Sequence, residues 1–246
     1  MIYNILLLLL AAGVPYYILL EKSDKFTSKS IFLLSGFLLL CAIVLSFSVP
    51  NERATPFVVI SFISALFSIY KATQTTNFYK LGYYFIFINA PFFILFEKQG
   101  AFYSLSLLVS LLGIYAIASF YDKHYGSANY LSVRGITLAT PLVGIHMIVY
   151  LISIGLYPPL PNSLFFMTFI FNGEPNFLWY VVVITLYFAN FLISMRILER
   201  SLFGKPNPNI HYVDLNNKEK ITHFTIIILL TLLSIYGLKE IFIWIL

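Results

Sequence analysis

Residues 101–121, AFYSLSLLVSLLGIYAIASFY, run without a single charged side chain. A helix needs about 20 mostly apolar residues to cross a bilayer core. Comparable runs recur at Ile2–Leu20, Ile31–Pro50, Pro56–Tyr70, Leu81–Phe96, Gly135–Leu156, Phe177–Met195 and Ile221–Leu238. With 60% hydrophobic and 10% charged residues, the chain has no polar surface to clothe a soluble domain of this size. The fold expected is an all-α polytopic membrane protein. Ile2–Leu20 reads as a first span and not as a cleaved leader, because it lacks a basic start and a small-residue cleavage motif.

One apolar stretch is interrupted. GLYPPLPNSLFF (155–166) carries Pro158, Pro159 and Pro161 where a helix would otherwise continue into NSLFFMTFIF (162–171). Each proline removes a backbone donor and clashes with the preceding turn. Piece 162–171 is too short to cross alone, so it is either the second half of a broken helix or part of a second crossing. The loop charges choose between these. With 135–171 as one crossing, Lys22, Lys25, Lys29, Lys71, Lys80, Lys123, Arg134, Arg196, Arg200, Lys205, Lys218 and Lys220 share one side, against Arg53 and Lys98, a split of 12 to 2. Two crossings would give 7 to 7. Lys and Arg favour the cytoplasmic or matrix side, so the sequence predicts about eight crossings, both termini outside, and one proline-broken discontinuous helix. Broken helices at membrane depth survive only where protein or a hydrated cavity satisfies the freed backbone, and transporters use them at ion sites.

Several function classes are excluded or left without support. Cys41 is the single cysteine and lies in an apolar run, so no disulfide framework forms and the residue reads as packing. His124 and His223 sit at helix edges and His211 in a loop, without metal-ligand spacing. No phosphate-binding or dinucleotide-binding glycine motif occurs, nor a cysteine cluster for iron–sulfur. No cofactor, no metal and no nucleic-acid partner are expected, and lipids are. The net charge of +5 bears on orientation, with Lys22, Lys25 and Lys29 set against anionic headgroups. The polar stretch 196–220 is the longest and is the expected contact for another subunit.

Four stretches then carry a resemblance: TNFYKLGYYFIFINAPF (76–92), QGAFYSLSLLVSLLGIYAIASFYDKHYGS (99–127), IGLYPPLPNSLFFMTF (154–169) and RSLFGKPNPNIHYVDLNNKEK (200–220). In this order they resemble the antiporter-like membrane subunits of complex I, especially chain M of bacterial NADH-quinone oxidoreductase and its mitochondrial counterpart, subunit four, with relatives among Mrp-type cation/proton antiporters, membrane-bound hydrogenases and inorganic-carbon transporters. The resemblance divides the chain into 1–73, helices of unassigned origin, and 74–246, the antiporter-like C-terminal half. It implies an energy-transducing membrane, mitochondrial inner or bacterial cytoplasmic, and other membrane-arm subunits as partners.

The family moves protons along intramembrane Lys, Glu and His residues. Carried across, the lysine of the first stretch falls on Tyr79, with Lys80 beside it, and the histidine falls on Asn89. The histidine of the next helix falls near Leu108, and the charged residue of the broken helix falls on Phe165. All ten acidic residues lie in loops or at helix ends. Tyr and Asn do not take up and release protons near neutral pH as a Lys–Glu pair does. The exception is His146, near the centre of 135–156, which could relay a proton or sit neutral against a carbonyl, with no second histidine in the membrane to join it. The resemblance therefore implies a structural membrane-arm subunit of an NADH:quinone oxidoreductase with its own proton path lost and no catalytic site. Two alternatives are an active subunit using His146 and partner charges, and an accessory subunit of a hydrogenase or carbon-uptake complex.

Overall fold

The structure, a computed structural model, describes residues 2–48, 55–172, 176–203, 206 and 210–245, without the side chains of 2, 48, 97, 98, 172 and 243–245. Arg53 and Lys205 of the charge count lie outside these residues. The described residues form helices α1 (Ile2–Leu10), α2 (Tyr17–Glu21), α3 (Ser28–Ser48), α4 (Thr55–Gln74), α5 (Phe78–Leu95), α6 (Glu97–Tyr125), α7 (Ile136–Ala139), α8 (Pro141–Ile154), α9 (Pro161–Asn172), α10 (Phe177–Leu202) and α11 (Asn217–Ile245). Six of them, α3, α4, α5, α6, α10 and α11, are long and apolar enough to cross a membrane. This is a polytopic helical membrane protein.

Local chemistry sets the helix ends. Asn77 caps α5, its Oδ1 accepting from the backbone N–H groups of Tyr79 (2.9 Å) and Lys80 (3.2 Å). Asn216 and Glu219 form a reciprocal capping box at α11, with both bonds at 2.9 Å. Gly126, with φ of 71°, closes α6 in the left-handed conformation that glycine adopts without a Cβ penalty. Arg196 of α10 caps the last turn of α4, donating to the carbonyls of Thr73 (2.6 Å) and Ala72 (2.8 Å).

The run 2–20 is not one helix, contrary to its apolar pattern. It breaks between α1 and α2, where Ala12 has φ of 60° and Gly13 N–H donates to Leu8 O at 2.8 Å. Pro15 follows. The second break repeats this construction: Leu156 has φ of 64°, Tyr157 N–H donates to Ile152 O at 3.1 Å, and Pro158 follows. Both are Schellman closures that satisfy the last carbonyls of the first half-helix, with proline just beyond to stop continuation. Hydropathy carries no information about a left-handed residue, so the first break was invisible in the apolar pattern. The run 135–156 likewise divides at Thr140, between the four-residue α7 and α8, because Pro141 restricts the residue before it. The polar stretch 196–220 is shorter as a loop than its composition suggests, since α10 continues to Leu202.

Side-chain pairings order the two halves of each broken segment. Along α6, Tyr150 lies against Gly113, Ser153 bonds Ser110 at 2.9 Å, Phe165 packs on Phe102 with centroids 6.0 Å apart, and Phe169 stacks on Phe96 at 4.0 Å. Helices α8 and α9 thus follow each other in one direction, antiparallel to α6. Along α11 the order agrees: Tyr150 meets His223 and Phe165 meets Tyr236. Against α5, Gly13 lies near Ile94, Tyr16 and Tyr17 meet Phe87, and Glu21 meets Tyr83 and Tyr84, so α1 and α2 also run in one direction.

Helix α5 is the hub. Almost every residue from Phe78 to Ile94 is buried, and α3, α4, α6 and α10 pack around it. The end of α2, the starts of α3, α5, α7 and α11, and the ends of α4, α6 and α10 gather at one end of the bundle. Arg196 joins α10 to α4, Lys123 bonds Glu219 at 3.0 Å, and Thr137 Oγ1 donates to Leu202 O at 2.9 Å. Among the described residues, that end carries the cationic positions that the sequence assigns to one side.

Candidate functional site: a neutral amide layer and a histidine pair

Asn89 projects from the middle of α5 and is 2% exposed. Its amide pairs head-to-head with Asn190 of α10, which is fully buried: Asn89 Nδ2 donates to Asn190 Oδ1 at 3.0 Å, and Asn190 Nδ2 donates back to Asn89 Oδ1 at 2.7 Å. Tyr103 of α6 donates its hydroxyl to the same Asn89 Oδ1 at 2.7 Å, and Asn89 Nδ2 also reaches Phe85 O at 2.8 Å. Three helices are therefore joined by neutral side chains, and Asn89 has partners for both oxygen and nitrogen. Nothing in this trio carries a charge or titrates near neutral pH.

One helical turn outward lies an aromatic layer, where Phe166 contacts Phe92 and Tyr187 at centroid distances of 5.5 and 5.6 Å. Asn89 precedes Phe92 by one turn, and Asn190 follows Tyr187 by one turn on an antiparallel helix. By the same register Asn162, four residues before Phe166, occupies the amide layer on the α9 side. Asn162 is fully buried and neither amide atom has a hydrogen-bond partner in the protein. The broken helix thus delivers a third asparagine to this depth.

A second polar group lies nearer the cationic end. His146 of α8 and His223 of α11 approach with ring centroids 4.7 Å apart, and Tyr150 OH lies 2.9 Å from His223 Nδ1. His146 Nδ1 is 2.6 Å from Leu142 O, so that nitrogen carries the proton and donates to the carbonyl of its own preceding turn. The expectation that His146 has no second histidine beside it is corrected: His223 is 77 positions away and buried at 2% exposure. One turn above His223, Glu219 accepts from Lys123 at 3.0 Å and has His124 Nε2 at 3.6 Å.

The other residues singled out in the sequence are dispersed. Tyr79 packs on Tyr115 at 5.7 Å with the Lys29 ammonium 6.0 Å from its ring, at the start of α5. Lys80 is a half-buried residue in the capped first turn. Pro158 and Pro159 lie in the break, joined by a cis peptide, and Pro161 opens α9. Leu108 and Phe165 are buried apolar residues. Among the described residues, no group of three or more His, Cys, Asp or Glu side chains could hold a metal ion.

No known family model matches this chain, and no curated protein is significantly similar to it in sequence. Its geometry therefore carries the functional reading.

Sequence reasoning missed Asn190, Tyr103, Asn162 and the pairing of His223. It also missed Glu21, whose Oε1 accepts from the buried hydroxyls of Tyr83 (2.5 Å) and Tyr84 (2.6 Å) although the residue ends a short helix. A lone amide in an apolar run, as in LYFANFLIS, was the available signal for Asn190.

Proposed function

We propose that this chain is a structural membrane-arm subunit of a respiratory NADH:quinone oxidoreductase or a close relative, of the antiporter-like type, without a complete proton path of its own. The observation that carries this reading is the amide layer. At the depth where such subunits hold titratable groups, this chain joins α5, α6 and α10 through Asn89, Asn190 and Tyr103. Charges at that depth are costly and are retained where they work. A neutral trio holds helices together and conducts no protons by itself. In this reading the six long helices are joined by two further crossings, α1 with α2 and α8 with α9. That makes eight, with the cationic end facing the cytoplasm or matrix of an energy-transducing membrane. The test is purification in mild detergent with mass spectrometry of the co-purifying chains. Quinone-reducing subunits are expected; a hydrogenase, a carbonic-anhydrase-like partner or no partner at all would overturn the assignment.

A second reading is favoured by one contact. The His146–His223 pair, with Tyr150 on one side and Glu219 a turn above, is a group through which a proton could pass from the cationic end. Beyond it Ser110 of α6 bonds Ser153 of α8 at 2.9 Å, but Ser106 and Ser110 donate back to the backbone carbonyls of Tyr103 (2.8 Å) and Ser106 (3.1 Å), so a path toward Tyr103 needs water or partner groups. In that case the chain is an active proton-translocating subunit completed by partner charges. Replacement of His223 by Phe then abolishes proton flux in the reconstituted assembly, whereas in the scaffold reading flux is unchanged.

A further inference from the structure

Helices α3 and α11 both pack on α6, and between them a strip of α6 is only partly covered. Leu105, Leu108, Leu112, Tyr115, Ser119 and Lys123 recur at three- and four-residue spacing, so they lie on one face. Leu112 is exposed at the centre of this strip.

Two cavities meet along it. The first, about 300 Å³, lies between α3 and α6 and is lined by apolar side chains and Gly36. The second, about 600 Å³, lies between α6 and α11 and is lined by apolar residues together with Ser119, Lys123, Lys218, Glu219, Thr222, His223 and Thr225. Leu112 and Tyr115 belong to both linings, so the two adjoin along this strip. From Leu105 to Lys123 the strip measures about 27 Å at 1.5 Å per residue, the scale of a headgroup with one extended acyl chain.

The polar end is cationic. Lys123 pairs with Glu219 Oε1 at 3.0 Å, and His124 Nε2 lies 3.6 Å from the same oxygen. Lys218 is exposed in the first turn of α11, and Lys29 of α3 places its ammonium 5.9 Å from the Tyr115 ring. Asp122, next to Lys123, is exposed. Lys123 and Lys218 of the lining and Lys29 beside Tyr115 thus stand at one end of a largely apolar slot, against the single paired carboxylate of its lining. They stand at the cationic end of the bundle, which is where a headgroup would sit.

We propose that this slot is a binding site for one membrane phospholipid with an anionic headgroup, its phosphate held by Lys218, Lys123 and Lys29 and an acyl chain lying along Leu112 to Leu105. The site requires only that the chain is in a membrane and is independent of the parent assembly. Gly36 controls the chain end. A Cβ there would stand 3.5 Å from Leu108 Cδ1, an ordinary contact, so alanine fits while a branched side chain fills the slot.

The test is delipidation of the purified full chain followed by rebinding of phosphatidylglycerol or phosphatidylcholine, read by native mass spectrometry. Wild type and Gly36→Ala are expected to bind one phosphatidylglycerol and to prefer it over phosphatidylcholine. The double variant Lys29→Gln, Lys218→Gln loses that preference by about fivefold per lysine. Gly36→Leu loses both lipids, with its helical circular dichroism unchanged. Equal preference in the lysine variant, or equal binding by Gly36→Leu and Gly36→Ala, overturns the proposal. If Gly36→Leu does not fold, the lysine variant decides alone. A photo-crosslinker at Leu112 is expected to label lipid; labelling of a quinone or of a partner helix also overturns it.

Discussion

The asparagine pair allows a prediction with an internal asymmetry. Replacing Asn190 by Leu removes two hydrogen bonds, yet Asn89 keeps Phe85 O for one N–H and Tyr103 OH for its oxygen. A single N–H of Asn89 loses its partner. Replacing Asn89 by Leu removes every amide bond that Asn190 makes in the layer and also takes the acceptor from Tyr103 OH. Hydrogen bonds between membrane helices contribute about 0.6 kcal/mol on average and up to about 1.7. Asn190→Leu is therefore expected to cost about 1 kcal/mol and Asn89→Leu about 2–4 kcal/mol, because stranded buried groups add their own desolvation penalty. The double variant removes the orphaned amide of the second partner, so the cycle yields a coupling of about 1–3 kcal/mol. Reversible unfolding in bicelles measures all three variants. Equal costs for the two single variants, or a coupling indistinguishable from zero, would refute the reciprocal pairing of Asn89 with Asn190.

Three other outcomes are expected. Ala12 is fully buried with φ of 60°, and Ala12→Gly relieves a left-handed strain of about 1–2 kcal/mol while losing one methyl; a lower melting temperature than wild type would contradict the Schellman closure. At Gly100 a Cβ would meet Phe92 O at 2.6 Å and Phe93 Cα at 2.9 Å, so Gly100→Ala forces the α5–α6 turn apart and costs about 1–3 kcal/mol by thermal unfolding. Arg196→Ala exposes the last carbonyls of α4, and hydrogen exchange at Ala72–Thr75 is expected to rise while exchange at α5 stays unchanged.

What was legible in the residues was local. Apolar runs near 20 residues long can only be helices that bury themselves in lipid or in one another, and Pro158, Pro159 and Pro161 cannot sit inside one. The distribution of lysine and arginine set which ends belong together, and the side-chain pairings at Arg196, Lys123 and Thr137 gather those ends at one face. The other break was not legible, because Ala12 looks like any apolar helix residue until its φ is known.

The sequence by itself determined that this chain is a bundle of membrane helices, where most of them stop, and that its interior is almost free of charge. Those properties follow from transfer energies and backbone chemistry, which each segment carries alone. Only the tertiary structure decided that Asn89 meets Asn190, that His146 meets His223 and that Glu21 reaches two buried tyrosines. These pairs lie 101, 77 and about 60 positions apart. Whether they touch depends on the rotation of each helix about its axis and on its neighbours, which the packing of the whole bundle fixes at once.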